Sequence, residues 1–203
     1  MRKLTLVRHA ITSWNSSGKF QGHSDIPLSE EGLVQAERLA ERLRGVTPDL
    51  VLSSPSVRAL KTAQIVCPQA DIKLDERLKE LNFGVFEGLT QPENERHEAW
   101  ATWFADPFKR AAPDGESYEE LRTRAVSWLE ALPKVKNIMA FSHSGTIRML
   151  ITHVLGVEHP KWRKRIFLNH SSLTVLLFRD DEIVVERVND AQHLNGQANP
   201  FDD

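Results

Sequence analysis

The stretch Leu4-Thr5-Leu6-Val7-Arg8-His9-Ala10-Ile11-Thr12-Ser13-Trp14-Asn15 decides how the rest of the chain reads. Its first four residues form a short, largely apolar run of the kind that makes a strand buried in a parallel sheet. Where the chain leaves that strand it carries Arg8 and His9 side by side, with Thr12 and Asn15 within two helical turns. A permanent cation, an imidazole and two small hydrogen-bonding side chains suit an anion site built around a nucleophile. An isolated Arg-His pair is ordinarily a surface cation beside a capping imidazole. Here, however, matching residues recur at two other strand ends.

Leu50-Val51-Leu52 runs into Ser53-Ser54-Pro55, and a helix from about Ser56 to Val66 carries Arg58 in its first turn. Proline is well placed there, because the first turn needs no N–H from it. Asn137 to Phe141 forms another buried strand, ending at Ser142-His143-Ser144-Gly145; a helix through Ile147, Leu150, Ile151 and Val154 follows and closes at Gly156. Between these units, Ser29 caps a helix whose apolar face is Leu33, Ala36, Leu39, Ala40 and Leu43. A connecting segment with Leu74 and Leu78 leads to Glu80–Gly88, an irregular loop pinned by aromatic residues and glycines. Residues 91–104 read as one helix, with Trp100, Trp103 and Phe104 either packing or capping the site. A helix follows from about Ser117 to Leu132. Two final strands, Leu173–Phe178 and Ile183–Val188, join as a hairpin at Asp180-Asp181, and the tail from Asn195 is expected to be loose. Strand and helix alternating in this way predict an α/β fold. It is a single three-layer α/β/α domain over residues 1–203, with a mostly parallel central sheet and an antiparallel edge strand.

With 203 residues, 40% hydrophobic and 27% charged, such a domain buries about 70% of its unfolded surface. The net charge of -2 lacks the basic footprint of a nucleic-acid binder. The single cysteine, Cys67, reads as a small core residue in a reducing compartment. No signal peptide is expected ahead of Arg8, and no apolar run approaches the ~18 residues that span a bilayer. A cytoplasmic protein without membrane contact is expected.

Ligands of open α/β sheets bind at the carboxyl ends of the strands. Three such ends would gather two arginines and two histidines beside helix N-termini, which favour a phosphoryl dianion. In phosphoryl transfer one neutral imidazole attacks phosphorus and the second stabilises the equatorial oxygens. A general acid then protonates the leaving alcohol, and Glu80 is the candidate. Neighbouring arginines should keep the nucleophilic imidazole neutral. Metal is the competing use of histidine. None of the histidines (9, 23, 97, 143, 153, 159, 170 and 193) pair at the short spacings of a zinc site, and no Walker loop or GxGxxG is present. The arginines take the place of magnesium, and no cofactor is expected.

Val7-Arg8-His9-Ala10-Ile11-Thr12, Trp14-Asn15 and Phe20-Gln21-Gly22 resemble the opening of the histidine phosphatase superfamily, which includes the cofactor-dependent phosphoglycerate mutases. The resemblance continues through Pro27-Leu28-Ser29-Glu30-Glu31-Gly32, Ser53-Ser54-Pro55 with Arg58 and Thr62-Ala63, and Glu80–Gly84 with Glu87-Gly88. It then takes in Gly115-Glu116-Ser117, Ser142–Gly145 with Ile147-Arg148, and Asn189-Asp190 with His193-Leu194. It implies that His9 is the phosphorylated nucleophile and Glu80 the proton donor. Arg8, Asn15, Arg58 and His143 then hold the phosphate, and Gln21 and Gly22 lie on the loop nearest substrate. Ala10 departs from the family's usual glycine, and its methyl group could narrow the pocket.

Several residues carry two readings. Ser144 either donates to phosphate or caps its helix. Glu87 is a rival acid that more naturally pairs or caps. Glu116 and Ser117 read as helix-start residues, His23 as a loop residue within reach of substrate, and Arg148 as a structural partner one turn deeper. Arg163-Lys164-Arg165 reads as a solvated face, and His193 as support behind the phosphate pocket.

Mutases of the family resembled carry an inserted arginine- and proline-rich segment after the Glu loop. This chain has instead Gln91–Pro113, with the acidic Pro92-Glu93-Asn94-Glu95 and one basic pair, Lys109-Arg110. A phosphomonoesterase acting on a small-molecule phosphomonoester is therefore favoured over a phosphoglycerate mutase. A non-catalytic or phosphoprotein-directed regulatory member is the third reading, and a homodimer through an edge strand is compatible with the sequence.

Overall fold

The computed structural model describes residues 1–157, 165–180 and 182–194. The strands are β1 (Arg2–Arg8), β2 (Leu50–Ser53), β3 (Ile72–Leu74), β4 (Asn137–Ser142), β5 (Leu173–Arg179) and β6 (Glu182–Asp190). They form one sheet in the order β3-β2-β4-β1-β5-β6. β3, β2, β4 and β1 are mutually parallel, β5 runs antiparallel to β1, and the edge strand β6 pairs antiparallel with β5. The helices are α1 (Ser13–Ser16), α2 (Glu30–Arg42), α3 (Val57–Val66), α4 (Gln91–Asn94), α5 (Trp100–Ala105), α6 (Tyr118–Glu130) and α7 (Ser144–Val154).

The two-residue period of a strand sends alternate side chains to opposite faces, and β4 shows why three layers result. Ile138 and Ala140 pack with Ala125 and Trp128 of α6 and Leu150 of α7. Met139 and Phe141 pack with Leu39 of α2 and with Ala63 and Val66 of α3. Each fully buried large side chain of this kind contributes about 1.5–3 kcal/mol. Ser29 caps α2 by accepting from Gly32 N–H, and Ser117 and Glu120 form a reciprocal capping box at the start of α6.

Register levels the three strand ends that matter. Arg8 pairs with Ser142 and Ser53 with Phe141. The ladder continues one residue further, His9 N–H donating to Ser142 O and Ser54 N–H to Phe141 O, each at 2.9 Å.

Three expectations need correction. Residues 91–104 form two short helices, not one, because the chain turns between Asn94 and Trp100. His97 N–H meets Asn94 O there, and the His97 ring accepts from Ala99 N–H. The segment around Leu74 contains β3, whose three residues are too few to show a period. Cys67 lies at the C-cap of α3, half-buried, and burial pushes its thiol up to about 11. The tail 195–203, Asp181 of the hairpin, and Arg163 and Lys164 lie outside the described residues.

Trp100 and Trp103 are buried in a satellite core with Phe86, Tyr118 and Leu121, and Phe20 and Phe83 pack against it. Phe104 stacks on Trp100 but is 41% exposed. This core lies directly under the Glu80–Gly88 loop. Trp103→Ala is expected to cost about 3–5 kcal/mol in urea unfolding, and Phe104→Ala less than about 1 kcal/mol. Similar losses from both would contradict the packing described.

Candidate active site

Arg8, His9, Ser54, Arg58 and His143 converge because they sit at or just past the level ends of β1, β2 and β4. His9 is 4% exposed and its Nδ1 lies 2.7 Å from Ala10 O. A carbonyl can only accept, so Nδ1 carries the proton and Nε2 keeps the lone pair. Burial first, then the charges of Arg58 and Arg8, hold the His9 pKa well below 6.5. The arginine charges expected from the sequence to favour a neutral imidazole act here second to burial, and Nε2 is the nitrogen left basic. The Ala10 methyl is fully buried, and Ala10 N–H donates to Thr62 Oγ1.

His143 is fully buried, with ring centroid 5.1 Å from that of His9. Its Nε2 meets Ser54 Oγ at 2.8 Å, and burial followed by the Arg58 charge lowers its pKa well below 6.5. The Arg8 guanidinium donates to Leu168 O and, at 2.6 Å, to His170 Nε2. Arg58, completely buried, donates to Gly22 O (2.7 Å) and Ser24 O (3.0 Å). Burial is the main reason the two guanidinium pKa values fall to about 9 for Arg8 and about 10 for Arg58. Both still carry full charge at neutral pH. Arg8 Nε, Arg58 Nε, His143 Nδ1 and Gln21 Nε2 are buried without a hydrogen-bond partner among the described residues. Leaving such groups unpaired is costly, and the oxygens of one phosphoryl group can accept from several donors at once.

Glu80 is 6% exposed. Its carboxylate accepts from Leu81 N–H (2.9 Å) and from Gly145 N–H (3.0 Å) in the first turn of α7, with Ser144 Oγ at 3.4 Å. The Ser144 hydroxyl thus faces Glu80, and the N-cap position of α7 is His143. Gly145 is required by this approach, since a Cβ there would lie 2.2 Å from Glu80 Oε1. Gly22 has the same reason: a Cβ would lie 2.2 Å from Leu81 O and 2.3 Å from Glu87 Oε1. Glu87 is fully engaged, accepting from the backbone of His23, Ser24 and Phe83 and from Ser24 Oγ. It staples the loop of Gln21 and Gly22 to the loop of Glu80.

Asn15 closes a capping box with Thr12, its Oδ1 accepting from Thr12 N–H and Oγ1. The one Thr12 hydroxyl proton is shared between Asn15 Oδ1 and Gln21 Oε1, which lies 2.7 Å from Thr12 Oγ1. His23 donates from Nε2 to Glu80 O (3.0 Å), and Arg148 donates to Ile166 O. His193 stands 3.4 Å from Arg42, which pairs bidentately with Asp190. Beside them Asn189 Oδ1 accepts from Asn169 N–H, so this C-terminal motif steadies the loop that carries His170. Among the described residues no three His, Cys, Asp or Glu side chains converge to hold a metal ion, and no helix is long and apolar enough to cross a membrane.

Three residues escaped the sequence reading. His170 lies 5.8 Å from His9 between ring centroids and receives the Arg8 hydrogen bond. Its surroundings, Leu168-Asn169-His170-Ser171, carry no signal. Gln35 accepts from Ile11 N–H and fixes the turn after His9. Arg124 binds the backbone before Glu80. Gln35 and Arg124 had a signal, each being a polar residue beside the buried stripe of an amphipathic helix.

Residues 4–191 match the model of the Histidine phosphatase superfamily (branch 1). A candidate phosphoserine phosphatase of Hydrogenobacter thermophilus is 34% identical over 163 residues, covering 77% of this chain and 80% of its own. A candidate phosphoglycerate mutase of Salmonella arizonae is 32% identical over 215 residues, covering 98% of this chain and 97% of its own. Among solved structures, the phosphoserine phosphatase of Entamoeba histolytica in complex with 3-phosphoglyceric acid superposes with a TM-score of 0.84. It is 32% identical and covers 96% of this chain and 100% of that one.

Three histidines buried neutral make the fold acid-sensitive. His9, His143 and His170 all have folded pKa values well below 6.5, chiefly through burial. As pH falls through 6.5 the unfolded chain binds protons that the folded chain refuses, so stability falls. The loss approaches about 1.4 kcal/mol per pH unit for each group. The urea midpoint should therefore drop between pH 7 and pH 5, and His170→Gln should make that drop shallower by roughly a fifth, since His23 and His193 are also held below 6.5. A variant with an unchanged slope would show that His170 is not buried neutral.

Proposed function

Because the chain belongs to the histidine phosphatase superfamily, branch 1, we propose that it is a metal-independent phosphomonoesterase acting on small phosphorylated metabolites. The observation that carries this reading is the His9 Nδ1–H bond to Ala10 O, which leaves Nε2 unprotonated within the field of Arg58 and Arg8. His9 Nε2 attacks phosphorus and the P–O bond to the alcohol breaks, while Glu80 delivers its proton to the leaving oxygen. Water then gives a proton back to Glu80 and its oxygen attacks the phosphohistidine. The N–P bond breaks, inorganic phosphate departs, and His9 and protonated Glu80 are restored. Arg8, Arg58, His143 and Asn15 hold the phosphoryl oxygens, with Gln21, Gly22 and Ser144 at the margin of the site. Preorganised donors of this kind act most strongly where charge gathers in the transition state.

The observation on the side of a mutase is the 32% identity to the Salmonella relative over nearly the whole chain. A mutase hands the same phosphoryl group to a second phosphorylated alcohol and must exclude water. The segment 91–113 supplies few cations for a second anionic end, which favours the hydrolase.

A panel of phosphomonoesters in EDTA, with 3-phosphoglycerate primed by a bisphosphate alongside, separates the two. Phosphate release with a preferred ester is expected. Isomerisation with little free phosphate would overturn the hydrolase, and a rate dependent on metal would overturn the metal-free chemistry. His9→Ala should abolish turnover. Glu80→Gln should slow alkyl esters about 10²–10⁴-fold but p-nitrophenyl phosphate far less, because its leaving group needs little protonation. Equal losses would count against Glu80 as the acid.

A further inference from the structure

The segment Arg77–Asn82 delivers Glu80, yet it lies outside the sheet and has no ladder to satisfy its backbone. Side chains take that place. Arg77 O accepts from Arg124 Nη1 (2.9 Å), Leu78 O from Ser142 Oγ (2.7 Å), and Lys79 O from Arg124 Nη1 (2.7 Å) and Thr146 Oγ1 (2.6 Å). Glu80 O accepts from Arg124 Nη2 (2.7 Å) and His23 Nε2 (3.0 Å). One guanidinium thus reaches three of four consecutive carbonyls. It is itself held by Glu116, with Arg124 Nε to Oε1 at 2.7 Å and Nη2 to Oε2 at 2.9 Å. Glu116 Oε2 also accepts from Asn82 N–H (3.0 Å), and Glu116 N–H donates to Asn82 O (2.8 Å).

We infer that the Arg124–Glu116 pair is a positioning device for the general acid: it fixes the backbone of Glu80 while Gly145 N–H fixes the carboxylate. This inference rests on Glu80 being the acid. Neither residue touches the reacting group. Arg124 acts through three carbonyls at once, so the planar fork matters and a lysine ammonium replaces it only in part. A proton donor displaced by about 1 Å loses on the order of a hundredfold in rate.

The test compares kcat and KM for an alkyl phosphate and for p-nitrophenyl phosphate in Arg124→Ala, Arg124→Lys, Glu116→Gln and the benchmark Glu80→Gln. Arg124→Ala should lower kcat for the alkyl ester about a hundredfold with little change in KM, while the aryl ester changes less than about threefold. Arg124→Lys and Glu116→Gln should show the same split at about tenfold. Added guanidinium should restore part of the alkyl rate to Arg124→Ala. If Arg124→Ala does not fold, the two milder variants decide. Equal losses on both esters in folded variants, with Glu80→Gln still showing the split, would overturn the positioning role alone. If Glu80→Gln shows no split, the acid assignment fails and the positioning role fails with it.

Discussion

Two guanidinium groups held in the protein without a carboxylate salt bridge set the terms for everything around them. Arg8 and Arg58 rest on carbonyls of Leu168, Gly22 and Ser24 and on one imidazole, and no ion pair to either occurs among the described residues. Burying positive charge without a directly paired carboxylate is expensive, and burial lowers the pKa of both groups although Glu80, and for Arg58 also Asp25 and Glu87, lie near enough to oppose it. The same charges add to the burial that holds the pKa values of three nearby histidines well below 6.5. In the function proposed above, a phosphoryl dianion would supply the direct counter-charge that these two groups lack.

The elements that carry these groups were readable because their causes are local. Leu4–Val7, Leu50–Leu52 and Asn137–Phe141 are short apolar runs ending in polar residues, and parallel pairing of three such strands gathers their ends with no further instruction. Gly22 and Gly145 also stood in quoted motifs, although only the structure reveals that each makes room for a carboxylate. What was not readable depends on contacts between distant segments. Arg124 bonds carbonyls 44 to 47 residues away, and a backbone carbonyl leaves no mark in a sequence. His170 reaches Arg8 from 162 residues away. β3 escaped because three residues show no period, and the break between α4 and α5 because turn contacts overrode a helix-like pattern.

The proposed acid and the proposed nucleophile are supported in different ways. His9 follows directly from β1, and side chains from α3, α2 and α1 hold the N–H groups of Ala10, Ile11 and Thr12 in turn. Glu80 comes from an irregular loop over an aromatic satellite core, bound by Arg124 and by Glu87 through the neighbouring loop. The residue proposed as nucleophile thus follows a strand end and the residue proposed as acid sits on a loop, and the fold alone names no substrate.

The central claim is that His9 Nε2 takes the phosphoryl group. Phosphohistidine is hydrolysed in acid and survives in alkali, whereas phosphoserine behaves the opposite way, so a single turnover is quenched in alkali and the phosphorylated peptide is mapped by mass spectrometry. The account predicts a phosphate on the peptide bearing His9, absent from His9→Ala. Turnover with no phosphorylated His9, or with the phosphate on another residue, would contradict it.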